Sequence, residues 1–474
     1  MSLALGAASP VGRAKRLRGQ LRLPSDKSVA HRALIANALA EVDPSGPAKV
    51  GLHAPGADVF STVRCLSALG VGMDIATAPL SDGDAWTRIA LRGPLAAGAH
   101  DGPLDCGNSG TTMRLLAGAL AGLPSRSKLD GDASLRRRPM ERLAVPLRAM
   151  GARVETTDGH APISVAGALR LRAINHRLPV ASAQLLGAIS LAALSAEGET
   201  RVLVPGPTRD HTERLLAWMG VPIERHPADG RAGGPAATIT TIRGPVRPRA
   251  RSLTVPGDLS AATPWLVAAA IHPDAQLRLV GVGLNPTRLA ALEVLREMGA
   301  EIEVSPTKDR PGSEAGPEPV GELVVRSSGR LRAVRLGGER VAALIDELPV
   351  LAVAMATADG TSELRDAGEL RVKESDRIAA VVAGLAAIGA RVEELSDGWR
   401  VRAGRPRDAA IATGGDHRIA IAFAVAALAG VAGSIRLDDP ACVAVSYPTF
   451  WSDVARVSGA VGGGVRTSAA GAAR

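Results

Sequence analysis

Seven stretches of the sequence set cations, hydroxyls or carboxylates where an apolar run begins. In Pro24–Leu39, PSDKSVAHRALIANAL, Ser25 and Asp26 are helix N-cap types, and Lys27, Ser28 and Arg32 follow them. A helix start offers unpaired N–H groups and partial positive charge, so these residues suit an anion. Ser28 and Arg32, four apart, share one face. Gly107–Arg114, GNSGTTMR, combines glycines that allow close backbone approach with the donors Asn108, Ser109, Thr111 and Thr112. Arg136, Arg137 and Arg138 precede Pro139 at an expected helix start, and Ser182 and Gln184 precede an apolar helix. Asp346 and Glu347 interrupt an apolar run, where acids are costly unless paired or working. Lys373 and Arg377 are expected on one helix face, with Glu374 three before Arg377. Asp416, His417 and Arg418 open the last apolar helix.

Each stretch alone also fits an ordinary cap, a solvated basic face or a surface ion-pair ladder. Together, Lys27, Arg32, Arg114, Arg138, Lys373, Arg377 and Arg418 exceed what one phosphate needs. Two anionic ligands, at least one phosphorylated, are the inference. No phosphate-binding loop of the G-x-x-x-x-G-K type, no G-x-G-x-x-G after a strand, no H-E-x-x-H and no nucleophile elbow is present. The expectation is therefore chemistry between two anions without cofactor or metal, with Asp346 and Glu374 available for proton transfer.

The elements that must position these residues repeat along the chain. An ending of the form LRAMGARV recurs with its glycine at 70, 151, 220, 299, 389 and, more weakly, 459. Such a glycine suits a left-handed helix terminus before a strand. Six helix–strand units follow, each carrying an amphipathic helix and most a second, nearly all-apolar one. Three apolar helices packed inside a ring of sheets make one body, and six units make two. If the helix starts of both bodies face each other, the cleft between them collects positive potential. Pro222–Pro256 and Lys308–Gly321 read as polar, turn-rich connections, and Gly462–Arg474 as a frayed tail.

Composition narrows the class. The 474 residues are too many for one hydrophobic core. With 46% apolar, 22% charged and 2% aromatic residues, the interior is filled by Ala, Val, Leu and Ile. A net charge of +9 favours acidic partners. Scattered basic residues and few rings for base stacking argue against nucleic acid. Cys65, Cys106 and Cys442 form no metal or disulfide spacing, which suits a cytoplasmic protein, and no stretch reads as a signal peptide or membrane span.

From about Leu21 to Val457, the motifs KSVAHRAL, GNSGTTMR, RPMERL, SAQLLGA, TRDHTE, IDELP, RVKESDR, DHRIA and SYPTFW resemble those of the 5-enolpyruvylshikimate-3-phosphate synthase family, the 3-phosphoshikimate 1-carboxyvinyltransferases of aromatic amino-acid biosynthesis. The resemblance implies an α/β (α+β) fold of two similar domains, each of three βαβαββ units with buried parallel helices. Crossovers near Pro24 and Pro256 give one domain of residues 25–255 and a second of 1–24 plus 256–474. It further implies that Lys27, Ser28, Arg32, Ser182, Ala183, Gln184, Asp346 and Lys373 contact shikimate 3-phosphate. Lys27, Asn108, Gly110, Arg138, Gln184, Arg377 and Arg418 are implied to contact phosphoenolpyruvate, with Thr208 and His211 near further contacts. Asp346, Glu374 and Lys27 are the implied catalytic groups of an addition–elimination releasing phosphate. The protein is expected to act as a monomer, with closure assembling the site.

Two positions depart from the family pattern. Val445 stands where many members carry Lys, and Glu369 where many carry Asn. Gly110 keeps the family's usual residue, which implies room for glyphosate. The related UDP-N-acetylglucosamine enolpyruvyl transferases carry Lys-Asn at the first helix and a loop Cys; here Ser28 follows Lys27, and Leu123–Arg138 contains no Cys.

Overall fold

A computed structural model describes residues 10–41, 43–44, 46–79, 85–95, 98–168, 170–228, 236–307 and 316–459. Six apolar helices organise it: Lys27–Leu39, Gly110–Ala121, Ala183–Ala193, Leu259–Ile271, Leu348–Met355 and His417–Leu428. All but Leu348–Met355 start under an Asp or Ser cap: Asp26, Ser109, Ser182, Asp258 and Asp416 each accept a backbone N–H of the first turn. Such a cap satisfies one orphan donor and points the remaining N–H groups outward.

Buried apolar side chains divide into two clusters. One draws its members from Val29 to Val255. The other joins Ala14, Leu17, Leu21 and Leu23 to residues from Leu259 to Val457. In the first cluster the helix Gly110–Ala121 packs against both Lys27–Leu39 and Ala183–Ala193; in the second, all three apolar helices touch one another. Small residues permit this closeness: a Cβ on Gly118 would run into the Ala188 carbonyl of the neighbouring helix.

The expected repeat is present in the sheets. In the commonest pattern two parallel strands are followed by an antiparallel pair, as in Leu17–Arg22, Ala275–Gly283, Val320–Arg326 and Ile302–Pro306. The glycines at 70, 151, 220, 299, 389 and 459 all have positive φ, between 59° and 109°. The sixth unit differs. Among the described residues its sheet holds only Ala409–Ile411 and Ile435–Leu437, supplemented by an antiparallel bridge from Val11 to Ile435. The chain's own beginning thus covers part of that edge.

The two cores exchange strands at neighbouring points. Leu17–Arg22 lies parallel to Ala275–Gly283 in the second core's region, whereas Leu253–Thr254 lies parallel to Ala48–His53 beside the first. The backbones then clasp reciprocally: Asp26 N–H donates to the Pro256 carbonyl at 2.7 Å, and Asp258 N–H to the Pro24 carbonyl at 2.8 Å. Both crossing segments run directly into a capped apolar helix, which brings two helix starts to one place.

Three expectations need correction. Pro222–Pro256 is not a linker, because Ile223–Pro227, Thr238–Gly244 and Leu253–Thr254 are strands with alternating or paired apolar positions; residues 229–235 lie outside the described region. Of Lys308–Gly321, residues 308–315 lie outside it, and Val320–Arg326 is strand. Lys373 and Arg377 do not share a helix face, since Asp376 caps a helix that begins only at Arg377 and Lys373 ends the preceding 3-10 turn. The tail from Gly462 also lies outside the described residues.

Candidate active site

A cavity of about 390 Å³ opens between the two helix bundles at the crossovers. From the first bundle it is lined by Lys27, Ser28, Asn108, Gly110, Thr111, Arg114, Arg138, Ser182, Ala183, Gln184, Thr208 and Arg209. From the second come Asp346, Glu369, Lys373, Glu374, His417 and Arg418. The spacing in sequence reaches more than three hundred residues; the common cause is that these positions start helices or end the loops before them.

Lys27 stands at the first helix start and bonds Asp58 Oδ2 at 2.9 Å. Burial opposes the charge on Asp58, but Lys27 and His31 outweigh it and keep the carboxyl below its ordinary range. Lys27 also lines a smaller recess beneath the cavity with Asp346, His417 and Arg418. Tyr447 forms part of that floor; its hydroxyl accepts a 2.8 Å bond from Trp265 Nε1, within a cluster that includes Phe450.

Along the adjoining wall, Arg114 Nη1 donates to Gln184 Oε1 at 2.7 Å, and Gln184 Nε2 to Thr111 Oγ1 at 2.9 Å. Burial, with Arg138 beside it, brings the Arg114 guanidinium down to about 10. Arg138 Nη2 donates to Asn108 Oδ1 at 2.8 Å and approaches Glu374 Oε1 at 3.4 Å. Gly110 faces these arginines so closely that an added Cβ would lie 2.6 Å from Arg114 Nη1 and 3.2 Å from Arg138 Nη1.

The carboxylates face this wall. Asp346 Oδ2 accepts from Arg209 Nη2 at 2.6 Å, and its backbone carbonyl from Arg418 Nη1 at 2.9 Å. Burial favours the neutral acid, yet Arg209, Arg418, Lys373 and Arg377 prevail and hold Asp346 well below the carboxylate range. Glu374 Oε2 accepts from Arg377 Nη2 at 2.6 Å. Burial again opposes ionisation, and Arg377, Arg138, His417 and Lys27 overcome it, so Glu374 too is held low. Burial lowers the Lys373 ammonium, against the pull of Asp346. Burial and Lys27 hold the His417 ring at about 4, so it is neutral at pH 7.

Two expected contact residues lie behind this surface. Arg32 is buried and spends its fork on Thr212 Oγ1 at 2.7 Å, the Ser28 carbonyl at 2.9 Å and the Ala183 carbonyl at 3.1 Å. Arg377, 1% exposed, bonds Asp416 Oδ2 at 2.8 Å as well as Glu374, while its Nη1 makes no hydrogen bond and lies 3.8 Å from Asp346 Oδ1. His211 also sits outside the cavity, paired with Glu318 at 2.8 Å. Conversely, Arg209 and Asp58 belong to the site and were not singled out from sequence. Arg209 lies inside TRDHTE; Asp58, at a helix start in GADVF, carries no comparable signal. Val445 backs onto Gly56, and Glu369 meets Arg142 across the cavity mouth at 3.3 Å.

A family model described as EPSP synthase (3-phosphoshikimate 1-carboxyvinyltransferase) matches residues 11–454. The chain belongs to the EPSP synthase family. A 3-phosphoshikimate 1-carboxyvinyltransferase of Chloroflexus aurantiacus is 46% identical over 449 residues, covering 94% of this chain and 97% of the relative. One from Gloeobacter violaceus is 45% identical over 459 residues, 96% of this chain and 99% of the relative. The solved EPSP synthase from Acinetobacter baumannii superposes with a TM-score of 0.75 at 35% identity, over 95% of this chain and 97% of that one. The enolpyruvyl transferase NikO from Streptomyces tendae, 21% identical with a TM-score of 0.66 over 95% and 98% of the two chains, shares the fold. The EPSP synthase activity is carboxyvinyl transfer in the shikimate pathway, and the resemblance read from the motifs agrees with this membership. Among the described residues no helix is long and apolar enough to cross a membrane.

Proposed function

We propose that this cavity joins shikimate 3-phosphate to phosphoenolpyruvate: the 5-hydroxyl adds to C2 of phosphoenolpyruvate, and the tetrahedral adduct then loses phosphate. The observation that carries the reading is the opposition of two ionised carboxylates, Asp346 and Glu374, to a wall of Lys27, Arg114, Arg138 and Arg209. Two anions and two proton transfers need just such a set. We take a monomer as the working unit, as the family resemblance implies. The separate cores and paired crossings support two domains, 25–255 and 1–24 plus 256–474.

Asp346 serves as base for the 5-hydroxyl. Its cations make it a weak base before ligands bind; a phosphate that draws charge from Arg209 and Lys373 raises its basicity when the hydroxyl arrives. Shikimate 3-phosphate lies along Lys27, Ser28, Ser182, Ala183, Gln184 and Lys373, with Arg32 tying together the backbones of Ser28 and Ala183. Phosphoenolpyruvate lies against Lys27, Asn108, Gly110, Arg138, Gln184 and Arg418, and the unmatched Nη1 of Arg377 supports a contact there.

Glu374 exchanges a proton with the methylene carbon. An anionic ligand that competes for Arg138 and Arg377 loosens their hold on Glu374, which favours its protonated form for addition; elimination returns the proton. Lys27 assists departure of phosphate. Thr208, whose hydroxyl accepts from Arg225 at 3.3 Å, lies at the sugar-phosphate side.

The test is phosphate release by purified protein with shikimate 3-phosphate and phosphoenolpyruvate in metal-free buffer. Turnover is expected, with loss in Asp346→Ala. Full turnover by that variant rules out the base assigned here.

A further inference from the structure

The turn Asn285–Arg288 lies between the strand Ala275–Gly283 and the helix Ala290–Glu297, and none of its residues lines the cavity. It is nevertheless bonded to both sides of the Arg209–Asp346 pair. Asn285, 2% exposed, donates through Nδ2 to Asp210 Oδ1 at 2.8 Å and Glu318 Oε2 at 2.7 Å. Its Oδ1 accepts the Thr287 N–H at 2.9 Å and hydroxyl at 2.7 Å, which fixes the amide's orientation. Glu318 in turn meets His211 Nδ1 at 2.8 Å. Asp210 and His211 directly follow Arg209.

The other end of the turn reaches the residue after Asp346. Arg288, whose side chain is 4% exposed, donates through Nη2 to Asp258 Oδ1 at 2.9 Å and Ser260 Oγ at 2.6 Å, and lies 3.7 Å from Glu347 Oε1. Ser260 itself donates to Glu347. We propose that the turn Asn285–Arg288 is a positioning element for catalysis, gripping Asp210 on one side and Glu347 on the other so that Arg209 and Asp346 meet in one geometry. This rests on Asp346 being the base.

Charge gives the turn a second influence on the same group. Arg288 faces Asp26, Asp258, Glu347 and Asp346 in a buried setting. Around Asp346 stand Arg209 from the first domain, Lys373 and Glu374 from the segment before the Arg377–Ala387 helix, Arg377 from that helix's first turn, and His417 and Arg418 from the last apolar helix, with Lys27 across the recess. Loss of Arg288 subtracts one positive charge from this set. The sign follows: Asp346 becomes harder to ionise, and the rate falls off at a higher pH.

The experiment records kcat against pH with both substrates saturating. Arg288→Met is expected to shift the acid limb to higher pH and to lower the plateau by about 100-fold. Arg288→Lys keeps the charge and leaves the limb in place. A partly unfolded preparation would lower the rate equally at every pH and leave the limb unmoved. An unmoved limb in folded Arg288→Met overturns the proposal. If that variant does not fold, Asn285→Ala carries the test: releasing Asp210 Oδ1, while Arg214 Nε still holds Oδ2 at 2.9 Å, shifts the limb the same way by less, and no shift overturns the proposal. Asp346→Asn separates the two readings. Its retained turnover sinks the base assignment, whereas its loss of turnover with no limb shift in Arg288→Met sinks only the role of the turn.

Discussion

The two faces of the cavity differ in how their charges are balanced. On the first face Arg114 and Arg138 are held by the neutral partners Gln184 and Asn108, and Lys27 alone has a carboxylate, Asp58, from its own side. On the second, Arg377 is pinned by Glu374 and Asp416, and Lys373 feels Asp346 and Glu374. The first face therefore offers incoming anions the Arg114 guanidinium through a neutral partner, and Arg138 at the cost of its 3.4 Å approach to Glu374 across the cleft. The second keeps its cations engaged and its acids ionised until a ligand rearranges them. In the proposed mechanism, the proton-transfer groups lie on the second face and most of the binding groups on the first, and the ion pairs Arg209–Asp346 and Arg138–Glu374 span the two.

That division can be broken at its strongest point. Asp346→Ala is expected to lower kcat for phosphate release by about 1000-fold, the range of a lost general base, with a much smaller change in KM. A change confined to KM would move Asp346 to the binding face. Lys27→Met tests the residue at the junction: a kcat loss of about 100-fold, with weaker binding of both substrates, is the expected steady-state result. Were only one substrate affected, Lys27 would belong to one side of the cavity alone.

Arg138→Gln sharpens the comparison, since it removes a cation whose hydrogen-bond partner is neutral. We expect the KM for phosphoenolpyruvate to rise by about tenfold, as for one charge-assisted contact of about 1.5 kcal/mol, while kcat changes less. Gly110→Ala makes a smaller change in the same wall. Its Cβ, 2.6 Å from Arg114 Nη1, forces the guanidinium to shift, and about 1 kcal/mol of crowding raises that KM by about fivefold. Inhibition assays on the unsubstituted protein check the related expectation that glyphosate fits beside the sugar phosphate. No inhibition at saturating glyphosate removes it.

The contrast between regions extends to stability. Gly118→Ala places a methyl against the Ala188 carbonyl inside the first core, at an expected cost of about 1–3 kcal/mol. Denaturant melts should show this loss in the transition of the first core, with the second core's midpoint retained. Equal destabilisation of both would mean that the two cores unfold as one unit.

Much of the site was legible because helix starts combine local signals. Asp26 is a cap type in sequence and a cap in the structure, and Ser109, Ser182 and Asp416, polar residues before apolar runs, cap their helices too, so the polar groups beside them stand at helix entrances. The glycine repeat was equally local, since a left-handed terminus requires little beyond its own residue. Lys373 was misplaced on a helix because charge spacing resembles helical periodicity, and only Asp376 in its cap geometry marks the true start. The strands between Pro222 and Pro256 were missed because polar edge positions and prolines hide pairing with distant partners.

By itself, then, the sequence determined six units, their buried helices, the motifs of the EPSP synthase family and a shortlist of anion-binding groups. These depend on contacts between residues close in the chain. Tertiary structure alone decided that Arg209 bonds Asp346 across 137 positions, that Arg138 approaches Glu374, and that Arg32 and Arg377 stand behind the surface. The physical reason is that charge is felt through space, and spatial distance here is set by the two crossing strands and by which helix faces pack. No local pattern contains that information.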